Sequence, residues 1–139
     1  MNNAKLGIIW NPKAPAHHIG YARVSTEEQS LNLQIDALRK AGVREGDLHV
    51  EKVSAASSKR HKLEWAIRML RPGDTFVVWK MDRIARSLTD LLRRMKQIED
   101  AGAGFKSLTE SIDTATPAGR LVMHMMGAIA EFERDLIRE

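Results

Sequence analysis

Hydrophobic positions change period repeatedly along this chain, and each change marks a new element. From His17 to Val24 the β-formers Ile19, Tyr21 and Val24 predict a short strand. Thr26, followed three residues later by Gln29, has the form of a capping box and predicts a helix start there. Leu31, Ile35 and Leu38 carry that helix's apolar stripe, and Gly42 ends it. Leu48 to Val53 predicts a second strand, and the small polar run from Ser54 to Arg60 a mobile loop. Leu63, Ala66, Ile67 and Leu70 stand at i, i+3, i+4 and i+7, the spacing of a second helix. After the turn Arg71-Pro72-Gly73-Asp74, the near-continuous apolar run from Thr75 to Trp79 is that of a strand covered on both faces. A third helix runs through Leu88, Leu91, Leu92, Met95 and Ile98, capped by Ser87 and ended at Gly102, and Gly104 to Thr109 makes a fourth strand. The alternation predicts an α/β domain: an open, mostly parallel sheet with helices on both faces.

A last, long helix opens at Pro117 and runs to the end of the chain. At 100° per residue, Leu121, Met125, Ala128 and Phe132 form one apolar stripe and Val122, Met126, Ile129 and Ile137 a neighbouring one. A helix lying on its own sheet needs only one such stripe, an arc of ~100°. The first stripe is expected on the sheet. The second is expected to meet the same helix of another subunit, as a dimerisation helix; the alternative is a central helix buried on all sides of one domain. The sequence stops at Arg138-Glu139 without a capping glycine, as if the helix continued further. The expected organisation is a flexible amino-terminal arm over 1–18, an α/β domain over 19–116 and the start of an oligomerisation helix over 117–139. No helix-turn-helix is recognisable in these 139 residues.

Composition narrows the chemistry. The chain has no cysteine, which excludes a disulfide scaffold and thiolate metal sites and fits a reducing cytoplasm. The apolar run Gly7-Ile8-Ile9-Trp10 is too short for the ~7–15 apolar residues of a secretory signal or the ~20 of a membrane span. Net charge is only +4, but it is unevenly placed: between Lys59 and Lys96 eleven Lys/Arg oppose four acids, and the remainder of the chain is net negative. A basic middle fits either a polyanionic partner, nucleic acid first, or a solvated basic face.

Three groups of residues hold candidate chemistry. Arg23 and Ser25, two apart on a strand, share a face where that strand hands over to a helix. Doubly wound sheets place ligands there; taken alone, a serine before a helix is usually a cap, and Ser25 reads first as one. Asp82, Arg83 and Arg86 follow another strand, and the two arginines, at i and i+3, share a face if the segment is helical. Asp82 is then an anchor among cations or a surface ion pair. Arg60, in the polar loop, is suited to bidentate phosphate contacts.

Taken together, the motifs are specific. Gly20-Tyr21-Ala22-Arg23-Val24-Ser25-Thr26, Gln29, Leu33-Gln34, Arg60 and Trp79-Lys80-Met81-Asp82-Arg83-Ile84-Ala85-Arg86-Ser87 resemble the resolvase/invertase family of serine site-specific recombinases. So do Ser107 to Thr114 and Ala130-Glu131-Phe132-Glu133-Arg134, and the stretch from Phe105 to Arg134 looks most like the DNA-invertase branch. The resemblance implies that Ser25 attacks a DNA phosphodiester, forms a covalent 5′-phosphoserine link and releases a 3′ hydroxyl. It implies phosphate-binding roles for Arg23, Arg60, Arg83 and Arg86, an active-site aspartate in Asp82, and support from Gln29 and Gln34. The implied partners are double-stranded DNA, a second copy in a homodimer, a tetramer on synapsis and accessory DNA-bending proteins, with no membrane and no cofactor or metal. The implied setting is cytoplasmic and DNA-associated. Two departures stand out: Glu51 where an aspartate is expected, and Ala55-Ala56 where a glycine is usual. The alternatives are a metal-dependent nuclease using Glu51, Asp82 and Glu133, and a catalytically inactive oligomerisation module.

Overall fold

In the computed structural model the described residues are 16–25, 30–53 and 61–138. Five strands and four helices alternate: β1 (His18–Ser25), α1 (Leu31–Lys40), β2 (Leu48–Val53), α2 (His61–Arg68), β3 (Thr75–Val78), α3 (Leu88–Asp100), β4 (Gly104–Ser107), β5 (Ile112–Asp113) and α4 (Pro117–Arg138). The sheet order is β2-β1-β3-β4-β5. β1 pairs in parallel with both β2 and β3, β3 pairs in parallel with β4, and β5 returns antiparallel to β4. This is the predicted open α/β sheet with one addition, the two-residue β5, which is too short to show a period.

The two faces carry separate cores. Tyr21, Phe76, Val78 and Phe105 point to the face covered by Leu63, Ala66 and Ile67 of α2, Leu91 and Ile98 of α3, and Met126 of α4. Ala22 and Val77 point to the other face, against Leu38 of α1 and Val43. The alternation along β1 thus sends one set of side chains to α2, α3 and α4 and the other to α1. Gly20 owes its place to this packing, since a Cβ there would meet Val43 Cγ1 at 2.8 Å.

Several expectations shift. α1 begins at Leu31 with Ser30 in the N-cap position; the proposed capping box of Thr26 and Gln29 lies outside the described residues. His17 and His18, counted with the amino-terminal arm, belong to the fold: His18 pairs with Thr75, and the His17 amide donates to buried Asp74 at 3.0 Å. α3 begins as predicted, with the Asp90 amide donating to Ser87 Oγ at 3.1 Å. The largest correction is on α4. Leu121, Met125 and Phe132, expected on the sheet, are exposed, whereas Val122 is half-buried and Met126, expected to face outward, packs against the core. Gly119 sets this rotation: a Cβ there would collide with the Asp113 carbonyl, so this face of α4 is pressed onto β5. Ile129 and Ile137 are exposed, as expected.

Candidate active site

The strand order reverses direction between β1 and β3, and the carboxyl ends of those two strands flank the switch point where such sheets bind ligands. Ser25 ends β1 there and is exposed. The chain leaving β3 makes a 3₁₀ turn over Met81–Arg83 and continues irregularly to Ser87. Arg83 and Arg86 are therefore not one helical turn apart on a common helix, and the predicted shared face has no helical basis here.

A reciprocal lock joins the two strand ends. Arg23 donates through Nη2 to the Asp82 carbonyl at 2.7 Å and through Nε to the Arg83 carbonyl at 3.3 Å. Arg83 donates back through Nη1 to the Arg23 carbonyl at 3.2 Å. Gln34 reaches over from α1 to hold the same backbone: its Oε1 accepts from the Arg23 amide at 3.2 Å and its Nε2 donates to the Arg23 carbonyl at 3.0 Å. Gln34 is fully buried, which explains a polar residue on the core-facing stripe of α1. The guanidinium of Arg83 lies 5.7 Å from the centre of the Trp79 ring, an aromatic face that steadies a cation. Its Nε is 3.3 Å from Asp82 Oδ1, with the Arg83 side chain 13% exposed and that of Asp82 67% exposed. Asp82 thus stands as a solvent-facing anchor beside a sheltered arginine. Arg86 is exposed at the end of the same segment.

Arg60 and Gln29 lie outside the described residues. Two further side chains support the site that residue patterns alone did not single out. Glu110, just beyond β4, accepts from the Met81 amide at 3.3 Å and from Ser107 Oγ, bracing the 3₁₀ turn from the sheet. Asp90 accepts from the Arg86 amide at 3.3 Å. Its only advance signal was its position three residues after the cap Ser87. Glu51 is buried, its Oε1 accepting from Tyr21 Oη at 2.7 Å and its Oε2 from the Lys62 amide at 3.1 Å. It serves as the joint between β1, β2 and the start of α2, a span that uses the extra reach of glutamate over aspartate.

Fold and site together define a doubly wound α/β domain whose switch point carries an exposed serine at the end of β1, two residues beyond an arginine locked to the turn after β3, an arrangement suited to a phosphate ester. Residues 18–139 match the family model described as the resolvase N-terminal domain, and the chain belongs to that family. It is 49% identical over 121 residues to a DNA-invertase of Escherichia phage P1, covering 87% of this chain and 64% of that protein. It is 46% identical over 121 residues to the serine recombinase gin of Escherichia phage Mu, covering 87% and 62%. The crystal structure of the N-terminal catalytic domain of TP901-1 integrase superposes with a TM-score of 0.72 at 36% identity, covering 84% of this chain and 95% of that one. The chain therefore spans less than two thirds of the length of the invertase and recombinase it matches. No helix among the described residues is long and apolar enough to cross a membrane.

Proposed function

We propose that this chain is the catalytic domain of a serine recombinase that cuts and rejoins DNA through a covalent 5′-phosphoserine. The observation that carries the reading is the placement of exposed Ser25 at the end of β1, beside the Arg23–Arg83 lock. Ser25 Oγ attacks the phosphorus, the Oγ–P bond forms and the bond to the 3′ oxygen breaks. The serine proton is lost and the leaving oxygen gains one. Negative charge grows on the phosphoryl oxygens, and guanidiniums brought against them lower the barrier. Arg83 and Arg86, with Arg60, are assigned to that charge. Arg23 and Gln34 hold the strand end, Gln29 assists, and Asp82 orients Arg83. The phosphoserine conserves the energy of the phosphodiester, so rejoining by the reverse step needs no nucleotide cofactor.

The proposed assembly is a homodimer formed through α4, becoming a tetramer when two DNA sites are brought together, with accessory DNA-bending proteins as further partners. Leu121, Met125, Ile129, Phe132 and Leu136 recur along one exposed face of α4 and supply its apolar surface. Base readout is assigned to sequence beyond this domain, and the proposed setting is DNA-associated and cytoplasmic. Glu51, which the metal-nuclease alternative would use as a ligand, accepts hydrogen bonds on both oxygens, from Tyr21 Oη and the Lys62 amide. Among the described residues no three potential metal ligands converge.

The test is Ser25→Ala. Strand cleavage should vanish while the thermal unfolding curve stays as in wild type; a covalent protein–DNA adduct persisting in the variant would refute the assignment.

A further inference from the structure

Arg94 lies on the inner side of α3, 5% exposed. Its Nη1 donates to Gln97 Oε1 at 3.3 Å, but its Nε makes no hydrogen bond. Arginine stays charged in any surrounding, so this is a sheltered cation that needs a counter-charge nearby. Among the described residues the carboxylate that supplies it is Asp90, with Oδ1 at 3.9 Å from Arg94 Nε. The same Oδ1 takes a hydrogen bond from Arg93 Nη2 at 2.8 Å. Burial acts to raise the Asp90 carboxyl, yet the hydrogen bonds from Arg93 and the Arg86 amide and the two arginine charges together hold it below its usual range.

The other oxygen, Oδ2, accepts from the amide of Arg86 at 3.3 Å. An acid at this position of a helix ordinarily reaches back to the amide of the capping residue itself. Here it reaches one residue further, to a residue of the active site. A cap needs no buried cation behind it either. We infer that Asp90 is a positioning residue for Arg86, and that buried Arg94 is the counter-charge that holds Asp90 in place. With the Asp90 amide bonded to Ser87 Oγ, the backbone carrying Arg86 is tied to the rigid helix on both sides of Ser87. What Arg86 then does rests on the recombinase reading; how it is held rests on the geometry alone.

Two measurements test the inference, the first independently of that reading and the second through it. The first is amide hydrogen exchange by NMR on the 139-residue chain. Asp90→Ala and Arg94→Met should each speed exchange at Arg86 by about tenfold, while Met95 to Ile98 within α3 keep their protection and exposed Arg93→Ala has little effect. Unchanged exchange at Arg86 in Arg94→Met, or loss of protection along the whole of α3, would overturn the inference. If Asp90→Ala does not fold, Asp90→Asn, which keeps an acceptor and loses the charge, is measured with the same criteria. The second measurement is the rate of covalent adduct formation on a random-sequence pool of duplexes nicked at their centres. Asp90→Ala should slow it at least about tenfold in the wild-type background and have no further effect when Arg86 is already Ala. Multiplicative losses would overturn the inference. A wild-type chain that forms no adduct would refute the recombinase reading, and the exchange data would still decide how Arg86 is held.

Discussion

At the scale of single residues, the site is built from arginines that spend part of their hydrogen-bonding capacity on backbone. Arg23 donates to two carbonyls of the 3₁₀ turn, and Arg83 donates back to the strand. A lysine carries the charge but not the planar fork that makes this geometry. Arg83→Lys should therefore cleave DNA about as poorly as Arg83→Ala, a loss of ~3 kcal/mol in transition-state stabilisation, or two orders of magnitude in rate. Cleavage kinetics at wild-type speed for the lysine variant would show that charge alone suffices. The roles of Arg23, Ser25, Asp82, Arg83 and Arg86 are implied by the family resemblance of their motifs, and four of these five residues lie on or beside the two strand ends at the switch point. The clamp of Gln34 on the Arg23 backbone was not legible, because it joins residues eleven apart across two elements. A glutamine on an apolar stripe discloses its partner only when the strand packs beneath it.

At the scale of elements, α4 separates what a helical period tells from what it leaves open. The period correctly makes the apolar arc too wide for one partner, yet it does not say which half turns inward. That choice falls to Gly119, whose lack of a side chain lets α4 approach the Asp113 carbonyl and brings Met126 onto the core. Gly119→Ala should lower stability by ~1–3 kcal/mol through overpacking against backbone, seen as a drop of several degrees in the thermal midpoint. An unchanged midpoint would mean that α4 is not pressed onto β5. The exposed stripe makes a second claim. Ile129→Asp or Phe132→Asp should convert a concentration-dependent dimer into a folded monomer in sedimentation equilibrium, whereas Met126→Asp should unfold the domain. Folded monomer from Met126→Asp together with intact dimer from Phe132→Asp would reverse the orientation argued here. Elsewhere the strands and helices were legible where apolar period and caps agree, as at Ser87 and Pro117. β5 was not, since its two residues are held by pairing with β4 and not by any pattern of their own.

At the scale of the whole molecule, the parallel sheet brings β1 and β3 side by side although they are separated by two helices and a strand in sequence. The order of motifs along the chain therefore becomes a cluster in space only through topology. The proposed function assigns to the basic middle segment and the exposed arginines a general attraction to DNA. Binding of the 139-residue chain to duplex DNA should be weak, indifferent to sequence and steeply weakened by salt. Tight binding to one sequence would place readout inside this domain. The central claim is the covalent step, and it is tested most directly by mass spectrometry of the protein trapped on duplexes nicked at their centres. The account predicts a phosphodiester-linked nucleotide on the peptide that contains Ser25, formed equally in the presence of a metal chelator and lost in Ser25→Ala. An adduct on any other residue, or cleavage that stops in chelator without an adduct, would contradict it.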